Sequence, residues 1–294
     1  MTKDKRPKPR KFLKDLGFLF DLKPAQRDRK FLKLLPPEDQ EVVERVWAAA
    51  GVGLDISTQL YTVPKTLEQA AALFSHDADR YLASMTWVAD VVDETQPSSV
   101  VDVGCGAGLL LKFLRERDNH IELNGIDAAE NLVQIGAELI EQDLLVGDYL
   151  TYAPPSKYDL VICEFGYDNS SIPQSRKPHS SAMCGPASYC PGCAEDAQAH
   201  FREYMKAWRQ WSRPEGALAL AGRMTDYTDV RAVTLAAQEE GWLVDLERSR
   251  ILATADRFNG KQFFPAWYFT SDKARSATQE EIATFYVKRG KVSR

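Results

Sequence analysis

The sequence predicts an α/β protein built on a Rossmann-like, doubly wound, mostly parallel sheet. Three observations carry this. Short runs rich in Val, Ile and Leu alternate with amphipathic stretches, and strands alternating with helices make a parallel sheet. A glycine turn, Val101-Asp-Val-Gly104-Cys-Gly106-Ala-Gly108, joins the first of these runs to a helix. Near the end, two strand-like runs at 242–252 and 262–270 have no helix between them, which predicts an antiparallel pair finishing the sheet.

Residues 1–11 are rich in Lys, Arg and Pro with few apolar groups, and are expected to be disordered. Apolar clusters at 12–22 and 31–35 suggest two short elements, stopped by Pro24 and Pro36-Pro37. Pro37 sits in the first turn of a helix running to about Ala50 and ended by Gly51 and Gly53. Further helices are expected at 66–74 and 80–93. Residues 1–35 thus read as a basic, partly disordered arm and 36–97 as a helical cap. The α/β domain follows over 98–271. Its strands are expected at 99–104, 121–127, 143–147, 159–164 and 216–222, and its helices near 107–117, 129–140, 195–212 and 228–240. Residues 272–294 form a charged tail with a helix near 279–286.

A strand, a glycine turn and a helix N-terminus in succession suit a nucleoside-bearing ligand. Asp127 closes the second strand 19 residues after Gly108, where a carboxylate can accept from both ribose hydroxyls. Gly147-Asp148-Tyr149 ends the third strand, and Cys163-Glu164-Phe165 ends the fourth at the same sheet edge. The glycines run Gly104-x-Gly106-x-Gly108 behind Asp102, unlike the Gly-x-Gly-x-x-Gly usual in nicotinamide dehydrogenases.

In this order and spacing, over about residues 77–270, the chain resembles the class I S-adenosylmethionine-dependent methyltransferases. The resemblance implies a seven-stranded sheet of order 3-2-1-4-5-7-6 with its last strand antiparallel, and a helical cap over the substrate side. It implies S-adenosylmethionine as cofactor. Gly104, Gly106 and Gly108 would face its amino-acid half, Asp102 would help place that half, and Asp127 would hold the ribose. Asp148 and the Tyr149 backbone would meet the adenine. Glu164, Tyr167 and Asp168 would position or deprotonate the acceptor, or Phe165 and Tyr167 would merely wall the pocket. Simpler roles stand beside these: Asp148 as a turn residue and Asp127 as a helix cap. The Asn/Asp-Pro-Pro-Tyr tetrapeptide of many amino-group methyltransferases is absent.

The connection from the fourth to the fifth strand is long, and long loops in compact domains are usually functional. Its part at 170–194 holds Cys184 and the Cys190-Pro-Gly-Cys193 pair, whose two-residue gap suits a structural zinc site. His179 or His200 would be the fourth ligand. A flexible loop with unpaired thiols is the alternative. The pair does not follow a first strand as redox dithiols do, and its spacing is not that of a radical iron–sulfur motif.

Twelve Lys or Arg against four Asp give residues 1–35 a charge of +8, leaving about −13 for the rest to reach the total of −5. Such an arm can attract RNA or an acidic protein, or simply pack on its own acidic body. No apolar run spans a membrane and no export signal is evident. With five cysteines, this leads to an expected reducing, cytoplasmic setting. The functions that follow are methyl transfer to a small molecule, methyl transfer to RNA or protein, and a non-catalytic module docking a partner through its Cys-rich loop. Oligomeric state is open.

Overall fold

A computed structural model describes residues 6–51, 57–167, 191–224, 227–256 and 260–290. Five helices precede the sheet: α1 Pro9–Asp15, α2 Pro24–Lys33, α3 Pro37–Gly51, α4 Leu67–Phe74 and α5 Ala78–Thr95, with a 3-10 turn at Ser57–Thr62. The α/β unit runs β1 Ser99–Val103, α6 Leu109–Arg117, β2 Glu122–Asp127, α7 Glu130–Ile140, β3 Leu145–Val146 and β4 Tyr158–Glu164. It continues with α8 Pro191–Trp211, β5 Ser212–Ala221, α9 Tyr227–Glu239, β6 Leu243–Asp256, β7 Gly260–Thr270 and α10 Gln279–Gly290. The sheet order is β3-β2-β1-β4-β5-β7-β6. The first five strands pair in parallel, and β7 is antiparallel to both β5 and β6.

The central strands are apolar throughout because both sheet faces are covered. Every residue of β1 is buried. The pleat divides them: Val100, Leu160 and Ile162 pack under the N-terminal helices, whereas Val101, Val103, Val161 and Cys163 enter a second core with α8 and α9. Trp208, Trp211, Trp242 and Trp267 fill that second core, all fully buried.

The N-terminal region differs from expectation. Order begins by residue 9, where disorder was expected through residue 11. The reason is burial: Phe12, Leu13, Phe18 and Phe31 all enter the first core, and Phe12 stacks 5.1 Å from Phe113. Arg27 ties the segment down through the carbonyls of Leu22, Phe20 and Ser75. From Pro9 onward the basic segment is therefore part of the cover. Smaller differences concern length. β3 has two residues rather than five, β5 starts at Ser212 rather than 216, and α8 starts at Pro191, so Cys193 lies in its first turn.

Candidate active site

A cavity of about 340 Å³ opens at the C-terminal ends of β1, β2 and β4. The strand order reverses around β1, and such switch points are where open α/β sheets hold ligands. The cavity has two walls, one from the strand ends and one from the N-terminal helices.

The strand wall is built on the glycine turn. Gly104 has φ +83°, and a Cβ there would lie 2.8 Å from the Gly166 Cα. Gly108 has φ +66° and its Cβ would lie 3.2 Å from the Gly136 Cα. Neither position admits a side chain without backbone movement. Asp127 pins the turn from β2: Gly106 N–H donates to Oδ2 at 2.9 Å and Ala129 N–H to Oδ1 at 2.8 Å. The carboxylate thus joins the turn to the start of α7, with the Ala128 N–H as a further donor to it. Burial raises its pKa, and the N–H donors partly offset this.

Asp102 is buried in the same wall, and its Oδ1 has no hydrogen-bond partner among the described residues. Burial, then the negative charges of Glu164 and Asp127, push its carboxyl well above the usual range. Glu164 ends β4 and accepts a short hydrogen bond from the Ser84 hydroxyl of α5. Burial pushes its pKa up to about 7, against the lowering influence of Ser84 and Arg80. Asp148 lines the cavity but is exposed, and its Oδ1 accepts from Leu150 N–H at 2.9 Å as a turn residue. Tyr149 also lines it, with its ring 6.1 Å from Tyr204.

A helical cap over this side was expected, but the side chains it contributes were not named. It brings Tyr61 from the 3-10 turn, Phe74 from α4, and Arg80, Tyr81 and Met85 from α5. The Phe74 and Tyr81 rings stand 5.2 Å apart. Arg80 pairs with Asp77 at 2.9 Å and lies 4.4 Å over the ring of Phe165. Phe165 itself has φ +59°, a conformation uncommon without glycine. Arg223, just past β5, lines the cavity and reaches Asp77 at 3.3 Å. The only sequence signal for this wall is the spacing Arg80/Ser84 and Tyr81/Met85, which puts both pairs on neighbouring turns of one helix.

Tyr167 falls elsewhere. It is buried in the second core against Phe201, Tyr204 and Trp208, with centroids 5.8–6.3 Å away. The cavity wall contains Glu164, Phe165 and Gly166 but not Tyr167. Asp168, His179, Cys184 and Cys190 lie outside the described residues. Cys193 is partly exposed. The ring of His200 packs 5.1 Å from Tyr204, and burial lowers its pKa. Among the described residues no group of three or more His, Cys, Asp or Glu is placed to hold a metal ion, and no helix is long and apolar enough to cross a membrane. Cys105, inside the glycine turn, is buried, and its thiol is pushed well up by that burial.

Residues 100–177 match the family described as Methyltransferase domain. The demethylmenaquinone methyltransferase of Thermotoga maritima is 26% identical over 122 residues, 36% of this chain and 53% of that protein. The tRNA1(Val) (adenine(37)-N6)-methyltransferase of Glaesserella parasuis is 22% identical over 136 residues, 44% of this chain and 53% of that protein. The chain spans about half the length of these relatives. Among solved structures, the N-methyltransferase NodS of Bradyrhizobium japonicum with S-adenosyl-L-homocysteine covers 64% of this chain and 86% of its own, at 12% identity and a TM-score of 0.43. The sheet order, the glycine turn at the switch point and the match over residues 100–177 agree in pointing to a methyltransferase domain of the class I S-adenosylmethionine-dependent type.

Proposed function

We propose that the protein transfers the methyl group of S-adenosylmethionine to a small-molecule acceptor held under the helix wall. The observation that carries this is the cavity between sheet and helices, with carboxylates on its strand side and aromatic side chains on its helix side. The residues fit the cofactor. Asp102 lines the cavity and its Oδ1 has no partner among the described residues, so a ligand ammonium would satisfy it. Asp127 lines the cavity at the end of β2, where a carboxylate can accept from a ribose hydroxyl, and the turn leaves no room for a side chain at Gly104. Bound there, the cofactor supplies an electrophilic methyl on a cationic sulfur.

The rest is done by the protein's own groups. Asp102 and Asp127 hold and orient, while Asp148 and Tyr149 border the far end of the cavity. Tyr61, Phe74, Tyr81 and Met85 exclude water and confine the acceptor, so that a small displacement of it would cost rate. Glu164, with a pKa of about 7, takes the proton of an acceptor that arrives protonated.

A small acceptor fits a cavity roofed by tightly docked helices. One observation favours RNA instead: Lys23 at the start of α2 and Arg29, Lys30 and Lys33 along it are exposed, and two relatives are named for a tRNA. Calorimetry with S-adenosylmethionine and S-adenosylhomocysteine is the first test. Both ligands should bind to the protein and be weakened at least tenfold by Asp127→Ala. If neither binds, the proposal fails. Methyl transfer to bulk tRNA that disappears when those four cations become Glu would select the RNA reading.

A further inference from the structure

Glu164 is oriented with more care than a base alone requires. It ends β4 on the face covered by α5, and its Oε1 accepts from Ser84, which is fully buried. The charged and titratable groups around it come from three directions: Arg80 and Tyr81 on α5, Asp102 on β1, and Asp77 and Arg223 at the cavity rim. Arg80 is already shared with Asp77 at 2.9 Å and with the face of Phe165, so it draws Glu164 without neutralising it. Glu164 lines the same cavity as the glycine turn. A ligand charge within about 7 Å of its carboxylate interacts with it at several RT.

We propose that Glu164, positioned by Ser84 and Arg80, distinguishes the methyl-bearing cofactor from its spent product by charge. This rests on the cofactor reading above. When the acceptor's lone pair bonds to the methyl carbon, the electron pair of the broken S–C bond stays on sulfur. The positive charge leaves with the acceptor, or as a proton if the acceptor carried one. The Glu164 carboxylate attracts the sulfonium form and gives the uncharged thioether no equivalent hold. Methyl transfer thereby loosens the site for exchange. Asp102 and Asp127 would hold groups that the two ligands share, so most of their hold is common to both.

Calorimetry with S-adenosylmethionine and S-adenosylhomocysteine, from about pH 5.5 to about pH 8.5, tests this, because that range spans the ionisation of a carboxyl shifted upward by burial. The ratio of the Kd for S-adenosylhomocysteine to that for S-adenosylmethionine should rise about tenfold across it. In Glu164→Gln the ratio should stay flat. In Ser84→Ala the midpoint should move to higher pH, since a donor to the ionised form is lost, and Ser84→Thr should restore it. A second reading needs no variant: near neutral pH, titration in two buffers should show S-adenosylmethionine releasing more protons than S-adenosylhomocysteine. A flat ratio in the unmodified protein with both ligands bound, or equal proton release, overturns the proposal and leaves the cofactor reading intact. Failure of both ligands to bind at every pH overturns the cofactor reading itself.

Discussion

The two walls of the cavity are made in opposite ways. The strand wall is main chain and carboxylate, built around a turn whose glycines Gly104 and Gly108 have left-handed φ and meet the backbone of Gly166 and Gly136. The helix wall is made of side chains gathered from residues 58–85, and its contact with the sheet spans 80 residues of sequence between Ser84 and Glu164. One wall is rigid because its backbone has no alternative. The other is held by packing, with aromatic pairs such as Phe74–Tyr81 and Phe18–Tyr81. The comparison teaches where tolerance lies: the strand wall should fail abruptly and the helix wall gradually.

The largest effect should come from Gly104→Ala. Its left-handed φ costs about 1–2 kcal/mol with a Cβ present, and the 2.8 Å approach to Gly166 adds a clash with backbone. Loss of about 2–4 kcal/mol by urea denaturation is expected, with S-adenosylhomocysteine binding weakened beyond a hundredfold. A variant with unchanged affinity would break the assignment of rigidity to this wall.

A middle-sized effect should come from Glu164→Gln, where the walls meet. The folded-state pKa of about 7 lies above the ordinary 4.5. A raised carboxyl favours the protonated form, so its contribution to stability is whole below about pH 4.5 and lost as pH rises to about 7. The difference of 2.5 units corresponds to about 3 kcal/mol at most. Ligand-free Glu164→Gln should therefore melt several degrees above the unmodified protein at pH 8 and near it at pH 4.5. Equal melting temperatures at pH 8 would show that the carboxyl is not strained by burial.

The smallest effect should come from Tyr61→Leu in the helix wall. Stability should change by about 1 kcal/mol, and S-adenosylhomocysteine affinity by no more than about threefold. Should Tyr61→Leu weaken that ligand as much as Gly104→Ala does, the two walls are a single unit and the contrast falls.

The same division governs what could be read in the chain. The alternation of apolar runs with helices led to the sheet, and the closing antiparallel pair followed from the missing helix between 242–252 and 262–270. Tyr167 shows the limit. Its neighbours in sequence, Glu164 and Phe165, face the cavity, yet its ring enters the opposite core beside Trp208. Period two within β4 accounts for Cys163 and Glu164 taking opposite faces. Past the strand end, at a residue with φ +59°, that period no longer applies. The basic segment shows another limit: its composition suggested disorder from residue 1 through 11, and the burial of Phe12 and Leu13 orders it from Pro9.

The sequence by itself determined the order of strands and helices, the glycine turn and the place of a carboxylate at the end of β2. Those depend on local quantities: strand and helix period, positive φ at glycine, and an acidic residue closing the second apolar run. Only the tertiary structure decided which side chains face the carboxylates from above. Arg80, Tyr81 and Ser84 meet Glu164 because a helix folds back over the sheet, and the partner of a helix face is set by packing rather than by any pattern within the helix.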